Sequence, residues 1–331
     1  MQALTLRKVK ARLVLEDRAD LDPAAGEVVV RIEAAALNRR DWWITQGMYP
    51  GIEPPVVLGS DAAGTVSRCG AGVDAAWLGR EVIINPGLDW GNSQSAHAGG
   101  FTILGLPRDG TFATEVAVPA SQLHARPAHL DPHQAAALPL AGVTAYRALF
   151  SQGGLQTGER VLVTGIGGGV ATFVLQFAVA AGAQVWVTSS SPEKIERAGQ
   201  IGAAGGVNYN DENWAKELAG WAEPPNLIID SGGGAGYAGL VNIAAAGGRI
   251  VNYGATAGPP DNLDLFKVFW KQLRLQGTTM GSPADSAAML DFVEARALRP
   301  VVDSVRPLAE ANSALESMRR SPQFGKLVLE V

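Results

Sequence analysis

The 331-residue chain has one cysteine, Cys69. A single thiol excludes an intrachain disulfide and any zinc site built from several cysteines, and it suits a cytoplasmic setting. Cys69 ends an apparent strand in "VSRCGAGV", and nothing near it in sequence marks a reactive thiolate, so it reads as structural. The chain also lacks a basic run. Its net charge is −5, from 27 Lys and Arg against 32 Asp and Glu, which argues against nucleic acid as a partner because phosphate neutralisation needs clustered cations. No membrane span is expected. The apolar stretch 170–187 is interrupted by Gln176, Gly182 and Gln184 and reads as helix, turn and strand. Nor does a basic start followed by an apolar run open the chain, so no secretory leader is expected. Histidine is scarce too. His97 and His124 are isolated, and Asp131-Pro132 puts a helix start between His129 and His133, so all four read as solvated or lightly packed.

What is present is a large apolar fraction, 47%, on a chain long enough for two domains. Through residue 125 the apolar residues alternate in period two, broken by Gly and Pro, as in "EVVVRIEAAAL" (27–37), "VVLGSDAAGTVSRCG" (56–70), "REVIINP" (80–86) and "TFATEVAVP" (111–119). These predict strands of a β-barrel or folded sheet. At 129–150, Asp131 is an N-cap, Pro132 fits the first helical position and Gln134 completes a capping box, while Pro139 splits the segment into two short helices. From Glu159 strands alternate with helices. The predicted strands are 160–164, 184–188, 206–208, 226–230, 248–252 and 273–277, a parallel sheet covered on both faces. Six strands fit two mononucleotide-binding halves. A helix at 283–297, a strand at 301–306, a helix at 308–319 and a final strand "GKLVLEV" are expected to rejoin the first domain. The expected domains are therefore 1–125 completed by 282–331, and 126–281.

The chemistry is concentrated in "VLVTGIGGGVATF" (161–173). It lies between a predicted strand and a predicted helix, the setting in which glycines let backbone N–H groups approach a pyrophosphate at the positive end of a helix. Gly165 and Gly168 shape the turn, Gly169 and Ala171 allow close packing, and Gly165, Gly167, Gly168, Gly169 and Val170 are the candidate cofactor contacts. The end of the second strand, about 20 residues on, is where an NAD enzyme places an acid. "VWVTSSSPEKIERA" has none from Gln184 to Pro192; it has Ser189, Ser190 and Ser191, then Lys194 and Arg197. Hydroxyls and a cation suit a 2′-phosphate, so NADP(H) is expected. Ser191-Pro192-Glu193 also reads as ordinary helix-start chemistry, and both readings hold together.

The β-rich first part, "LPLAGVTAYRAL" (138–149), the glycine-rich turn, "DSGGG" (230–234), "VNYGATAG" (251–258) and "FGKLVLEV" together resemble the medium-chain dehydrogenase/reductase superfamily. Within it, the chain is most similar to the zinc-free quinone oxidoreductase, zeta-crystallin-like branch. The resemblance implies an α/β fold, a GroES-like β-barrel domain plus a Rossmann domain with a doubly wound parallel six-stranded sheet, and a homodimer or homotetramer. Zinc alcohol dehydrogenases of that superfamily carry Cys in the segment matching "LNRRDWW" and Gly-His-Glu in the segment matching "LGSDAAG". Here Asn38 stands at the Cys place and Ser60-Asp61 replaces His-Glu. The structural-zinc loop, matching "NPGLDWGNSQSAHAGG" (85–100), has no cysteine, so no metal is expected at either place.

The resemblance further implies Asn38 near the nicotinamide, Tyr49 in the substrate cleft, Thr144 on the nicotinamide side, and Tyr209 with Lys194 at the 2′-phosphate. Ser231, Tyr253 and Gly254 are further cofactor-binding candidates in the matching segments. Trp43 replaces a Tyr of many relatives, and Trp42 and Trp43 read either as a flat wall for a planar substrate or as barrel core. Asp41 and Asp61 read as structural carboxylates bonded to backbone or to Arg39 and Arg40. Lys326 is a minor candidate contact in a cofactor-closing segment. The expected activity is NADPH-dependent hydride transfer to a quinone or α,β-unsaturated carbonyl, a small-molecule partner. The alternatives are an enoyl or aldehyde reductase of the same superfamily, or a non-catalytic NADPH-binding structural or regulatory protein.

Overall fold

The structure, a computed structural model, describes residues 1–221 and 223–331. It divides into two compact units, residues 1–141 with 282–331 and residues 142–281. Residues 126–141 thus belong to the first unit, not to the second as the sequence suggested. The reason is local packing. Ala135, Ala136 and Ala137 are completely buried in the helix Pro132–Ala137, and side chains this small let it lie close on strands Glu27–Ala36 and Asp61–Cys69. The expected capping box is present, with Asp131 accepting from Gln134 N at 2.9 Å, and Pro139 opens a second helix, Pro139–Tyr146. That helix widens into a π-helical turn, Arg147–Gln152, which the sequence reading did not foresee.

The first unit is built on strand Glu27–Ala36, which pairs antiparallel with Asp61–Cys69. It also pairs with Glu115–Pro119 over its first half and with Lys326–Glu330 over its last residues. Its alternating Val28, Val30 and Ile32 enter one apolar core with Val66, Val82, Val116, Leu327 and Leu329. The single strand expected over 56–70 is two. Gly59, at φ +95°, turns the chain between Val56–Val57 and Asp61–Cys69, and Val56–Val57 joins a separate three-stranded sheet with Gln2–Leu6.

The second unit is a six-stranded, wholly parallel sheet. In chain order its strands are Arg160–Val163, Gln184–Ser189, Gly205–Asn208, Leu227–Asp230, Arg249–Asn252 and Arg274–Gly277. Their order across the sheet is third, second, first, fourth, fifth, sixth. Each lies within one residue of its expected range. Val161, Val163, Ile228, Ile229, Ile250 and Val251 are completely or almost completely buried, as strands covered on both faces must be. The order reverses between Arg160–Val163 and Leu227–Asp230, so the carboxyl ends of these two strands form the switch point where such sheets take ligands.

A partly buried ion pair, between buried Arg249 and half-buried Glu159, fixes the opposite end of this sheet. Arg249 grips Glu159 through two bonds, Nη1 to Oε1 at 2.7 Å and Nη2 to Oε2 at 2.5 Å, and its Nε donates to Gly153 O at 2.7 Å. Breaking a buried pair by removing one partner leaves the other charge unmatched, at a cost of roughly 3 kcal/mol. Arg249→Ala should therefore lower unfolding stability by about that amount in urea titrations. A loss below about 1 kcal/mol would show that the pair behaves as a surface bridge.

Candidate functional site

In the second unit the first strand ends at the glycine-rich turn. Gly165 and Gly167 have φ of +65° and +113°, backbone that residues with a Cβ rarely adopt. The turn is pinned to the second strand by Gly165 N to Thr188 Oγ1 at 3.2 Å and Ile166 N to Thr188 O at 2.8 Å. Gly168, the N-cap of helix Gly169–Ala180, is different. Its φ is an ordinary −71°, and a Cβ placed there would meet nothing closer than Gly165 O at 4.0 Å. Neither backbone conformation nor the protein's own packing demands glycine at 168. The open space lies at the N-terminus of a 12-residue helix, where unpaired N–H groups and the helix dipole favour an anion. The turn fits a dinucleotide pyrophosphate.

Asp230, at the end of the fourth strand, organises this region. It accepts from Thr164 Oγ1 at 2.6 Å, Gly233 N at 2.9 Å, Asn252 Nδ2 at 2.9 Å and Gly232 N at 3.2 Å. Tyr237 OH then donates to Asn252 Oδ1 at 2.8 Å. Burial, aided by the Asp230 charge, pushes the Tyr237 phenol up to about 12. Tyr253 also reaches about 12, through burial opposed by a hydrogen bond with Ser231. Both phenols therefore remain protonated. Ser231 Oγ lies 3.6 Å from where a Cβ on Gly165 would stand, and Ser231 O lies 3.2 Å from a Cβ on Gly254. The candidates Gly165, Ser231, Tyr253 and Gly254 are thus brought together. Thr164, Asp230 and Asn252 were not among the candidates. The readable signal for them was an acid closing a parallel strand immediately before "SGGG".

At the end of the second strand, Tyr209 N donates to Ser189 O at 3.0 Å, Ser191 N to Ser189 Oγ at 3.2 Å, and Lys194 N to Ser191 Oγ at 3.2 Å. The structure therefore gathers Ser189, Ser190, Lys194 and Tyr209. Their exposure differs. Ser189 is buried with its hydroxyl engaged by backbone, whereas Ser190 and Tyr209 are exposed. Thr144 is buried in helix Pro139–Tyr146.

The first unit holds a second polar cluster. Lys326 Nζ donates to Asn38 Oδ1 at 2.7 Å and Asp61 Oδ2 at 2.9 Å, and Asn38 Nδ2 donates to the same carboxylate oxygen at 2.9 Å. Asp61 Oδ1 accepts Leu140 N at 2.8 Å. Asp41 Oδ2 accepts Asn38 N at 2.8 Å, opening the helix Arg39–Thr45. Asp41 and Asp61 each accept a backbone N–H, one of the two kinds of partner expected, while the side chains of Arg39 and Arg40 bond elsewhere. Arg39 binds Ser321 Oγ at 2.6 Å and Arg40 binds Ser60 Oγ at 2.7 Å. The Lys326 ammonium is buried and bonded to Asn38 and Asp61. Tyr49 is half-buried, with the Arg40 guanidinium 5.3 Å from its ring centre. Trp42 and Trp43 meet edge to face at 65°, so they form no single flat wall, and Trp42 packs against the apolar core.

Comparison with known proteins agrees with both units. The family model for the alcohol dehydrogenase GroES-like domain matches residues 24–128, and that for zinc-binding dehydrogenase matches 169–295. The zinc-type alcohol dehydrogenase-like protein YogA of Leptosphaeria maculans is 37% identical over 329 residues, covering 93% of this chain and 92% of that protein. The chain belongs to the medium-chain dehydrogenase/reductase superfamily. Among solved members of the superfamily, an NAD-dependent alcohol dehydrogenase superposes with TM-score 0.94 at 35% identity, over 100% of both chains. The 2-octenoyl-CoA carboxylase reductase CinF, in complex with NADP and 2-octenoyl-CoA, superposes with TM-score 0.89 at 26% identity, over 99% of this chain and 87% of that one.

Superfamily membership raises the question of zinc, and the donor set here does not fit it. At the places matching the metal ligands stand an amide, a hydroxyl and a carboxylate, and the Lys326 ammonium already binds the amide oxygen and the carboxylate. Among the described residues no three His, Cys, Asp or Glu side chains gather as a metal site. The 85–100 loop is packed around Trp90 instead. That ring is buried, donates Nε1–H to Ser93 O at 2.9 Å, and meets His97 and Phe101 at centroid distances of 5.7 and 5.1 Å. His97 is thus an aromatic packing partner. His124 is half-buried, its pKa lowered by desolvation, rather than solvated.

Burial raises the Asp41 carboxyl to about 6, against the opposing charge of Arg40. A carboxyl with a higher pKa folded than unfolded binds its proton more tightly in the folded chain. Its destabilising contribution therefore develops as pH rises from about 4 to about 6 and persists above that window. The stability of wild type relative to Asp41→Asn should fall by roughly 3 kcal/mol between pH 4 and pH 7 in urea titrations. A difference that grows with pH would mean that Asp41 is stabilised as the anion.

Proposed function

We propose that the protein is an NADPH-dependent reductase of quinones or α,β-unsaturated carbonyl compounds that works without zinc. Gly168 supports the cofactor half of this reading, since it leaves open space at the N-terminus of a 12-residue helix directly after the glycine turn, where a phosphate is favoured. Gly165, Gly167, Gly168, Gly169 and Val170 would hold the pyrophosphate. Ser190, Lys194 and Tyr209 would meet the 2′-phosphate over the capped start of helix Pro192–Gln200, with Ser189 supporting them from below. When bound, the cofactor supplies a hydride. The chain's task is to orient the acceptor and to donate hydrogen bonds to the oxygen on which charge develops, which is the chemistry least dependent on a metal.

Asn38 suits that task. Its amide is oriented by Lys326 and Asp61, with the oxygen taking the ammonium and one N–H taking the carboxylate, and the other N–H stays available as a donor. Reduction of an enoyl thioester is the second reading, favoured by the likeness to CinF with its bound NADP and 2-octenoyl-CoA. The likeness to an NAD-dependent enzyme makes the cofactor the first point to test.

Wild type should bind NADPH at least about tenfold more tightly than NADH in fluorescence titrations, the scale of a charge-assisted contact to the extra phosphate. Lys194→Ala should weaken NADPH binding by about tenfold and leave NADH binding almost unchanged. Equal losses for both cofactors would remove the 2′-phosphate assignment. Consumption of NADPH with a panel of quinones and enones tests turnover, and the absence of any acceptor would leave a cofactor-binding protein.

The reading extends to a homodimer or larger assembly in the cytoplasm. Helix Leu265–Trp270 exposes Leu265, Phe266, Phe269 and Trp270 by 61–73% each, and it precedes the sheet's exposed edge strand Arg274–Gly277. A contiguous apolar ridge beside an unpaired strand edge invites a second copy of the chain. Sedimentation should show an oligomer for wild type and a monomer for Trp270→Glu, whereas an unchanged mass would place the interface elsewhere. No helix among the described residues is long and apolar enough to cross a membrane.

A further inference from the structure

Four of the five residues 165–169 are glycine, and glycine loses more conformational freedom on ordering than any other residue. Order in this turn is therefore imposed from outside it. On one side, Thr164 N donates to Ile229 O at 3.1 Å and Thr164 Oγ1 to Asp230 Oδ1 at 2.6 Å, so the residue before the turn is fixed to the fourth strand. On the other side, one residue of the second strand holds the next two. Thr188 takes Ile166 N on its carbonyl at 2.8 Å and Gly165 N on its hydroxyl at 3.2 Å. Only the second of these bonds depends on a side chain. Ile166 in turn forms an isolated parallel bridge with Gly168, which carries the constraint to the N-cap of helix Gly169–Ala180. Thr188 is 2% exposed, so its hydroxyl acts on the turn and not on a ligand.

We propose that Thr188 is a positioning residue of the cofactor site, whose hydroxyl holds the pyrophosphate-binding turn in its binding conformation before the cofactor arrives. The proposal rests on the nicotinamide-cofactor reading and is independent of the choice between NADPH and NADH. A ligand that meets an ordered turn keeps its full affinity, whereas one that meets a disordered turn loses affinity in proportion to the fraction of chains in which the turn is formed. Thr188→Val is close in shape, keeps the carbonyl that receives Ile166 N, and removes only the acceptor of Gly165 N. The glycines then widen the alternatives open to the turn. The pyrophosphate is common to both cofactors, so the loss falls on both alike, in contrast to the NADPH-only loss expected of Lys194→Ala. Thr188→Ser keeps the hydroxyl acceptor and so keeps the turn.

Fluorescence titrations of the full-length protein with NADPH and with NADH test this. Thr188→Val should weaken both by about fivefold or more and by equal factors, the scale of one backbone N–H left without its acceptor, while Thr188→Ser should stay within about twofold of wild type. A Val variant that binds both cofactors within about twofold of wild type, a loss confined to NADPH, or a Ser variant that loses as much as the Val variant would each overturn the proposal. A threonine that merely stabilised the sheet would lower the urea midpoint of the Val variant and leave the affinities of the folded protein unchanged. One measurement needs no variant. In hydrogen exchange on wild type, the Gly165 and Ile166 amides should be protected before NADPH is added, and exchange as fast as in an unstructured loop would overturn the proposal. If wild type binds neither cofactor, the cofactor reading falls and the proposal with it, a result distinct from wild-type binding that survives in Thr188→Val.

Discussion

The first unit depends on one buried charge pair. Lys326 and Asp61 are 3% and 0% exposed, and they meet across 265 residues of sequence. Taking two ions out of water costs several kcal/mol each, and attraction alone repays this only when the remaining donors and acceptors are also satisfied. Here they are. Asp61 takes the ammonium and Asn38 Nδ2 on one oxygen and Leu140 N on the other, and its backbone carbonyl accepts Thr111 Oγ1 at 2.9 Å. Four segments far apart in the chain are thereby tied at one point. They are the loop before helix Arg39–Thr45, strand Asp61–Cys69, the start of helix Pro139–Tyr146 and the C-terminal strand. The same bonds fix which way the Asn38 amide faces, a choice that an isolated amide leaves open. The pair that holds the C-terminal strand in the first unit is thus also the pair that aims its candidate donor.

The second unit solves a comparable problem with one carboxylate and backbone. Asp230 stands at the switch point and ties the carboxyl ends of the first, fourth and fifth strands through Thr164, its own following loop and Asn252. The glycine turn itself is pinned to Thr188, through that residue's hydroxyl and its backbone carbonyl. Left-handed geometry at Gly165 and Gly167 and open space at Gly168 then have distinct causes. The first two glycines are demanded by the chain's own path, whereas the space beside the third is left open by the surrounding residues.

What could be read in advance follows from this division. The four inner strands of the parallel sheet were legible because buried β-strands are short apolar runs, and the outer strands Gly205–Asn208 and Arg274–Gly277 were legible only from their place in the strand–helix alternation. The helix break at Pro139 was legible because proline cannot continue a helix from the preceding turn. The domain boundary was not, because the three alanines that press helix Pro132–Ala137 onto the first unit carry no directional signal in a linear pattern. The partners of Lys326 were not legible either, because nothing in the linear pattern of "FGKLVLEV" shows that this strand meets Asn38 and Asp61. Asp41 and Asp61 were expected to bond backbone or the neighbouring arginines, and both accept a backbone N–H. Those arginines point elsewhere because helix Arg39–Thr45 starts at Asn38 and sends Arg39 towards Ser321 and Arg40 towards Ser60.

These arrangements bear on the direction of the chemistry. A metal ion can both polarise a carbonyl and lower the pKa of a bound hydroxyl, which makes alcohol oxidation accessible. An ammonium or guanidinium held by fixed hydrogen bonds can stabilise an oxyanion, but arginine stays protonated and takes up no proton from an alcohol. With Lys326 committed to Asn38 and Asp61, and Arg40 clamped by Ser60 and Leu104 O, the first unit holds donors in plenty and little basic capacity. Asp41, whose carboxyl is lifted to about 6, is the exception, and its one bonded oxygen is used to start a helix. Such a composition is compatible with the reduction proposed above, in which the chain has to supply donors to an oxyanion.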